Sequence, residues 1–401
     1  MQHLAELGQD RTPQDALALR GTNQSGMRAQ NERIVLSILR RQGPLAKTDI
    51  ARLTGLSVQA VSVMMRKLEE DGLLERREKL RGKVGQPLVP MALAATGAYF
   101  IGLKLGRRST DLMLIDFLGH GIAVERTTYP YPTPDAVMGF VTKALPRISA
   151  ALPAAQRSRI SGIGIAMPFQ LWNWATYVGA PQAEMDAWRH RDIQAEVAAL
   201  SDLPTWVQND ATSACGAELV FGQEDRPSDF LYVFIAHFIG GGLVLNGKLH
   251  TGPTGNAAAI GSMPVPGPDG QMRQLITVGS LAGLETKMVE RGLDATHIWD
   301  RADQWQVPDD LRQNWIRAAA DGIAHATLCA TATTELRAVM VDGWLPVDWR
   351  HDLVEAIRQS CARLDFAGLD VPQVIEGSVG HLARTLGAAS IPLSQRFLVD
   401  A

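Results

Sequence analysis

The chain has 401 residues, with 39 Lys and Arg against 42 Asp and Glu, so its formal charge of −3 marks neither a nucleic-acid binder nor a strongly acidic protein. At about 150 residues per domain this length fits two to three domains, and 46% apolar against 20% charged residues excludes wholesale disorder. The longest mostly apolar stretch, residues 91–103, contains Thr96, Gly97 and Tyr99; it falls short of the ~18 residues a membrane helix needs and is expected to be one strand with its approach. Near the start, Glu6, Asp10 and Asp15 stand where a secretory signal would be basic and then apolar, which predicts a cytoplasmic protein. Cys215, Cys329 and Cys361 lack CxxC spacing, which argues against disulfides or a cysteine-built zinc site and predicts three buried thiols.

Charge is unevenly spread. Residues 1–26 carry −1 and read as a flexible leader, whereas residues 27–91 hold thirteen basic and seven acidic groups, a balance of +6, which leaves −8 for residues 92–401. A basic head of this size can neutralise phosphates that the body would repel.

In the head, Ile34, Val35, Ile38 and Leu39 give residues 31–41 helical spacing, and Gly43-Pro44 ends the run. Thr48 is expected to cap a short second helix, Gly55 to supply a tight turn, and Ser57 to cap a third helix. Along that third helix Val61, Met64 and Leu68 face inward. Gln59, Ser62 and Arg66 then share the exposed side, where Gln59 can pair with adenine and Arg66 with guanine or phosphate, with Lys67 reaching phosphate. Gly72 closes the helix. Residues 73–75 and 88–90 read as two strands joined by a basic, glycine-containing wing in which Arg81, Lys83 and Gln86 would lie along the backbone or minor groove. The pattern predicts a winged helix-turn-helix bound to double-stranded DNA. One recognition helix makes too few base contacts to find a site, so a homo-oligomer on a palindromic operator is expected. A small helical module for protein contacts, with a solvated basic face, is the competing reading.

In the body, residues 99–106 and 111–116 are strand-like runs around the polar turn 107–110. A helical pattern over 135–150 leads to a buried strand at 160–166, and a comparable order recurs after Asp229. Two α/β halves around a cleft are predicted.

Several motifs resemble the ROK family, which comprises repressors, open reading frames and sugar kinases. Gly21-Thr22-Asn23-Gln24-Ser25-Gly26 followed by Asn31 resembles its approach to the head, and Gly85-Gln86-Pro87 stands where its regulators have Gly-Arg-Pro. Residues 162–168 resemble the loop before the sugar site, Gln208-Asn209-Asp210-Ala211 with Glu218 the Asn-Asp motif, and residues 384–393 the closing helix. The resemblance covers about nine-tenths of the chain. It implies a winged helix-turn-helix on a duplicated actin-like, hexokinase-like (RNase H-like) ATPase-fold body.

The resemblance also shows what is missing. Asp210 matches the kinases' catalytic base, but Lys104 stands in place of the Asp in the first phosphate hairpin. The second phosphate turn, glycine-rich in kinases, is Ala236-His237-Phe238-Ile239-Gly240, and Trp344 replaces a small residue on the adenosine side. The zinc-binding members' Glu and His correspond to Ala259 and Ser262, and the cysteine cluster that follows in them is absent. No cofactor or metal is therefore expected. Asn209, Asp210, Asn256 and Ser262 are candidates for binding a sugar-like effector, unless Asn209 and Asp210 only cap the helix that follows them. The expected function is a sugar-responsive transcriptional repressor without kinase activity. An ATP-dependent sugar kinase with a DNA-binding head and an effector-independent scaffold are the alternatives.

Overall fold

The structure, a computed structural model, describes residues 24–78, 89–223 and 225–399. The N-terminal segment 1–23 and the wing residues Arg81, Lys83 and Gln86 lie outside the described residues.

The head holds three helices, α1 (Gln24–Gln42), α2 (Lys47–Thr54) and α3 (Val58–Glu70), with a two-stranded sheet of β1 (Leu74–Arg76) and β2 (Met91–Leu93). Helix α1 starts before the expected Asn31, inside the stretch read as leader, and ends where Gly43 takes a φ of +69°. Ser57 caps α3 as expected, its Oγ accepting the Ala60 N–H at 3.2 Å. Thr48 does not cap α2. The cap is Ala46, without a side-chain bond, because Leu45 exchanges backbone hydrogen bonds with Met91 and so fixes the chain's entry before Thr48 is reached.

The second wing strand is also displaced from residues 88–90. Pro90 has no N–H to give a ladder; its carbonyl accepts from Arg77 at 2.9 Å, and pairing begins at Met91, with Leu74 opposite Leu93. Residues 91–103 are therefore not one strand. They hold β2, a 3-10 turn at Ala95–Gly97, and the start of β3 (Tyr99–Leu105).

The body contains two five-stranded sheets of matching order. In the first, β3 is followed by β4 (Ser109–Ile115), β5 (Gly121–Thr128), β6 (Ile160–Met167) and β7 (Thr205–Asn209), lying in the order β5-β4-β3-β6-β7. The hairpin strands are antiparallel, and β6 and β7 join in parallel after the crossover helix α4 (Pro134–Ala150). The second sheet contains β8 (Phe230–Ile235), β9 (Gly240–Leu245), β10 (Lys248–His250), β13 (Ala338–Gly343) and β14 (Gln373–Glu376). Its order is β10-β9-β8-β13-β14, with the same senses. A small pair, β11 (Pro264–Pro266) and β12 (Met272–Gln274), lies between the halves of this second unit in sequence. The repeat expected from residue patterns is thus a repeat of topology.

The two sheets are tied by the Asp210–Phe221 helix and the closing helix Ala383–Phe397, which pack against each other. The closing helix lies on β3 and β6 across Gly102 and Gly164, where any side chain would strike the backbone around Thr385 to Ala389. It also joins head to body. Val35, Leu39, Met65 and Leu68 share one core with Phe100, Phe117, Leu393 and Leu398, so the head is not carried on a bare tether. Burying each such side chain contributes roughly 1.5–3 kcal/mol. Arg40 donates to the Phe117 carbonyl and lies 5.6 Å from the ring centroids of Phe117 and Phe221; burial lowers its pKa to about 10.

Candidate DNA-reading face and effector cavity

Helix α3 buries Val61, Met64, Met65 and Leu68, and the opposite side is exposed. At 100° per residue the centre of that side falls near Gln59, Val63 and Arg66. Gln59 and Arg66 are exposed as expected, whereas Ser62 lies on the flank and is half-buried. Val63, which the pattern of polar residues passed over, is 58% exposed. An isolated β-branched methyl pair among polar neighbours suits contact with a thymine methyl. Lys67 leans toward α1, with its ammonium 3.5 Å from the Glu32 carboxylate, while 43% of its side chain stays exposed.

The expected effector residues converge. Asn209, Asp210, Asn256 and Ser262 all line one cavity of about 440 Å³ in the cleft between the halves. One wall comes from the 168–174 segment after β6 and from the start of the Asp210–Phe221 helix. The other comes from the 238–241 turn and residues 256–262. Two non-glycine residues on these walls, Gln170 and Ala258, have left-handed backbones with φ of 56° and 55°. Strain of this kind persists where the surroundings over-determine it, as functional sites do.

Asn209 caps the following helix: its Oδ1 accepts the Ala211 and Thr212 N–H groups at 3.0 and 3.2 Å. That leaves its side-chain amide N–H groups for a ligand. Asp210 has a different role. Its Oδ2 accepts from Arg384 of the closing helix at 3.2 Å, with both side chains largely buried.

A second cavity of about 400 Å³ adjoins the first where a kinase would hold nucleotide phosphates, and Arg107 and Arg384 line both. Lys104, at the expected metal-side position, is buried and donates to Asp111 at 3.0 Å and to the Ser109 hydroxyl at 2.8 Å. Desolvation pushes its pKa down to about 8 against the pull of Asp111. Across the cleft the 236–240 turn is occupied. Ser280 Oγ accepts the Ile239 N–H, and the carbonyls of Ala236 and His237 accept from Leu281 and Ala282 at the start of the Leu281–Glu290 helix. The Phe238 ring packs 4.6 Å from Trp174, and Trp344 donates its indole N–H to the Ile298 carbonyl at 2.7 Å. A triphosphate with its metal does not fit this donor set. The turn's Ile239 N–H is already bonded, aromatic rings stand in the way, and on the hairpin an ammonium takes the metal-side position while the one carboxylate beside it, Asp111, is engaged by Lys104 and Arg126.

Among the described residues no three His, Cys, Asp or Glu side chains come together to hold a metal ion, and no helix is long and apolar enough to cross a membrane. Cys215 and Cys361 are buried, but Cys329 is exposed on the Asp309–Thr334 helix, against expectation, because it lies on the face turned from that helix's packed alanines.

Two residues missed from the sequence organise this site. Arg384 opens the closing helix, and Arg107 forms the tip of the β3–β4 hairpin. At the other end of the closing helix, Arg33 of α1 donates to the carbonyls of Leu398, Ser394 and Gln395 at 2.6, 3.1 and 3.2 Å, and the Val399 N–H donates to Ser37 Oγ at 3.0 Å. One helix therefore begins in the cavity and ends on the head.

A winged helix-turn-helix DNA-binding family model matches residues 28–75 and the ROK family model residues 100–395. An uncharacterized protein from Sinorhizobium fredii is 26% identical over 92% of both chains. A xylose repressor from Caldicellulosiruptor bescii is 22% identical over 78% of each, and a transcriptional regulator from Mycobacterium tuberculosis is 27% identical over 58% of this chain and 52% of its own. Among solved structures, a ROK family transcriptional regulator homologous to the E. coli MLC protein superposes with a TM-score of 0.66 at 17% identity, covering 92% of this chain and 96% of that one. A ROK family glucokinase from Streptomyces griseus, in complex with glucose and AMPPNP, superposes at 0.56 and 22% identity over 73% of this chain and 99% of its own. The family match spans the cleft, both sheets and most of the closing helix: the chain belongs to the ROK family.

Proposed function

We propose that the protein is a DNA-binding transcriptional repressor whose hold on its operator is set by a sugar-type ligand in the interdomain cleft, and that it performs no phosphoryl transfer. The observation that carries this reading is the closing helix Ala383–Phe397, with Arg384 on Asp210 in the cavity at one end and the Arg33 cluster of the head at the other. A ligand that competes for Asp210 or Arg384 shifts this helix, and the head moves with its C-terminal carbonyls. In this reading the helix is the element whose position both sites bias. The relatives named xylose repressors support a sugar-type effector.

Residues 27–91, together with the end of β2, act as the reading head and the remainder as the effector and oligomerisation body. Two heads on a palindromic operator supply the base contacts that one lacks. In this reading Gln59, Ser62 and Arg66 read bases, while Lys67, Arg81, Lys83 and Gln86 approach phosphates or the minor groove. Asn209, Asp210, Asn256 and Ser262 face the ligand.

A thermal-shift screen of the full chain against pentoses, hexoses and polyols identifies the ligand, since whatever binds the folded state raises Tm by mass action. With that ligand, Arg33→Ala is expected to keep ligand affinity but lose at least half of the ligand's effect on DNA affinity, an effect typically about 1–3 kcal/mol. Unchanged coupling, measured by fluorescence anisotropy with and without ligand, counts against the helix as the link.

Asp210 is the one feature that favours a kinase. Its carboxylate is already engaged by Arg384, and the second cavity does not suit a triphosphate, so an ADP-release assay over the same sugars is expected to give no turnover above a protein-free blank. Turnover abolished by Asp210→Asn overturns the reading.

A further inference from the structure

The cations at the junction of the two cavities are not evenly matched. Asp111 takes Lys104 at 3.0 Å and Arg126 at 3.3 Å, Glu285 takes Arg108 at 2.8 Å, and Asp210 takes Arg384 at 3.2 Å. Arg107 has no carboxylate within 4 Å among the described residues. It is only 8% exposed, its Nε is buried without a hydrogen-bond partner, and it lines both cavities. Its guanidinium carbon lies 3.8 Å from the Phe238 ring centroid and 4.2 Å from that of Trp174, one ring from each half of the body. The rings attract the charge and fix its plane, but they accept no ordinary N–H bonds. The nearest carboxylate to influence it, Asp210, is already engaged by Arg384, and burial pulls the guanidinium's pKa down to about 9, which leaves it charged at neutral pH. A buried, oriented guanidinium without a counter-charge is costly unless something else supplies the anion.

We infer that Arg107 is the receptor for an oxyanion on the effector: a carboxylate or phosphate group borne by a polyol whose hydroxyls face Asn209, Asn256 and Ser262. The inference rests on the reading of the cleft as an effector site and narrows the ligand from sugars at large to sugar acids and sugar phosphates. The geometry suits it. A guanidinium offers a planar pair of N–H donors to a two-oxygen face, and the hydroxyl-facing groups line the cavity on one side of it, with space for a charged group on the other. The oxyanion would also give Arg384 a second partner beside Asp210, which is the contact through which the closing helix would register the ligand.

The test uses the full chain and four panels in calorimetry and thermal shift: neutral aldoses and polyols, aldonates and uronates, aldose phosphates, and inorganic phosphate or sulfate alone. One of the two oxyanion-bearing panels is expected to bind about tenfold or more tightly than its neutral parent and than the bare anion, and which panel does so identifies the carboxylate or the phosphate. Arg107→Gln is expected to lose that ligand by a similar factor, Arg107→Lys to recover part of it, and the ligand-free Tm of Arg107→Gln to equal or exceed that of the unsubstituted chain, because an unmatched charge has been removed. Three results overturn the inference while leaving the effector reading standing: neutral sugars binding as well as charged ones, ligand affinity unchanged in Arg107→Gln, or a sharp fall in that variant's ligand-free Tm, which would make Arg107 a strut between Trp174 and Phe238. Binding by none of the four panels removes the effector reading itself, and this inference with it.

Discussion

Replacing Gln59 and Arg66 together by alanine is expected to erase the protein's preference for its operator over random DNA while leaving the fold intact. Both side chains stand on the exposed side of α3 and neither contributes to the core that Val61, Met64, Met65 and Leu68 form. A good bidentate contact to a base edge discriminates by about 1–3 kcal/mol, so the pair is worth roughly 2–6 kcal/mol per half-site, or about thirtyfold at the least. Non-specific binding should fall much less, because it depends on the summed positive charge of the head, of which Arg66 is one of thirteen basic groups. The measurement is anisotropy on a selected palindrome and on a scrambled duplex of equal length, over a salt series. The slope of log K against log salt should flatten by no more than roughly 0.9 per Arg66 lost. Val63→Ala provides a finer check: if that side of α3 enters the groove, the variant loses affinity only for sites with a thymine at one position, and its salt slope is unchanged. An operator preference that survives the double substitution places the reading surface elsewhere.

The reading side of α3 was visible in the sequence because helical periodicity is a local property, fixed by Val61, Met64 and Leu68 and by the Ser57 cap. Its finer angular detail was less visible. Polar identity favoured Ser62, whereas the 100° step places Val63 nearer the centre. Thr48 does not cap because Leu45 pairs with Met91, a contact across more than forty residues that no local propensity contains, and the second wing strand starts past Pro90, which has no N–H for the ladder, at the Met91 that this contact holds. The family motifs brought Asn209, Asp210, Asn256 and Ser262 to one cavity because each motif sits at the end of a strand or at a turn that faces the cleft. They said nothing of Arg107, which in sequence is one basic residue in a polar hairpin turn. Its meaning comes from Trp174 and Phe238, which approach from opposite halves of the fold. Nor did they show that Arg33 reaches the carbonyls of Ser394, Gln395 and Leu398 more than 360 residues away. Hydrophobic spacing specifies which side of an element is buried; it does not specify which other element buries it.

Gly387→Ala is expected to be among the most damaging small substitutions in the body. Gly387 lies in the closing helix where it crosses the Asp210–Phe221 helix, and a Cβ there would overlap the Ser213 carbonyl, well inside van der Waals contact. The obstacle is backbone, so no rotamer change relieves it, and the Ser213 region is itself held by a 2.8 Å bond from its hydroxyl to the Asn209 carbonyl. The two helices must separate. Overpacking of a core costs typically 1–3 kcal/mol when side chains can yield, and with backbone on both sides about 3 kcal/mol or more is expected. At about 2–4 °C per kcal/mol for domains of 150–250 residues, Tm should fall by roughly 6 °C or more. Gly139→Ala in α4 is the control: its Cβ meets nothing within 4 Å, and alanine's helix propensity should raise stability by up to about 1 kcal/mol. The functional consequence follows from the same geometry. Separation of the helices moves Arg384 away from Asp210 at one end and the carbonyls of Ser394 and Gln395 away from Arg33 at the other, so whatever Gly387→Ala protein remains folded should bind DNA without responding to ligand. Equal melting of the two glycine variants would mean that the helices do not touch at Gly387, and the route from cavity to head would then have to run through another element.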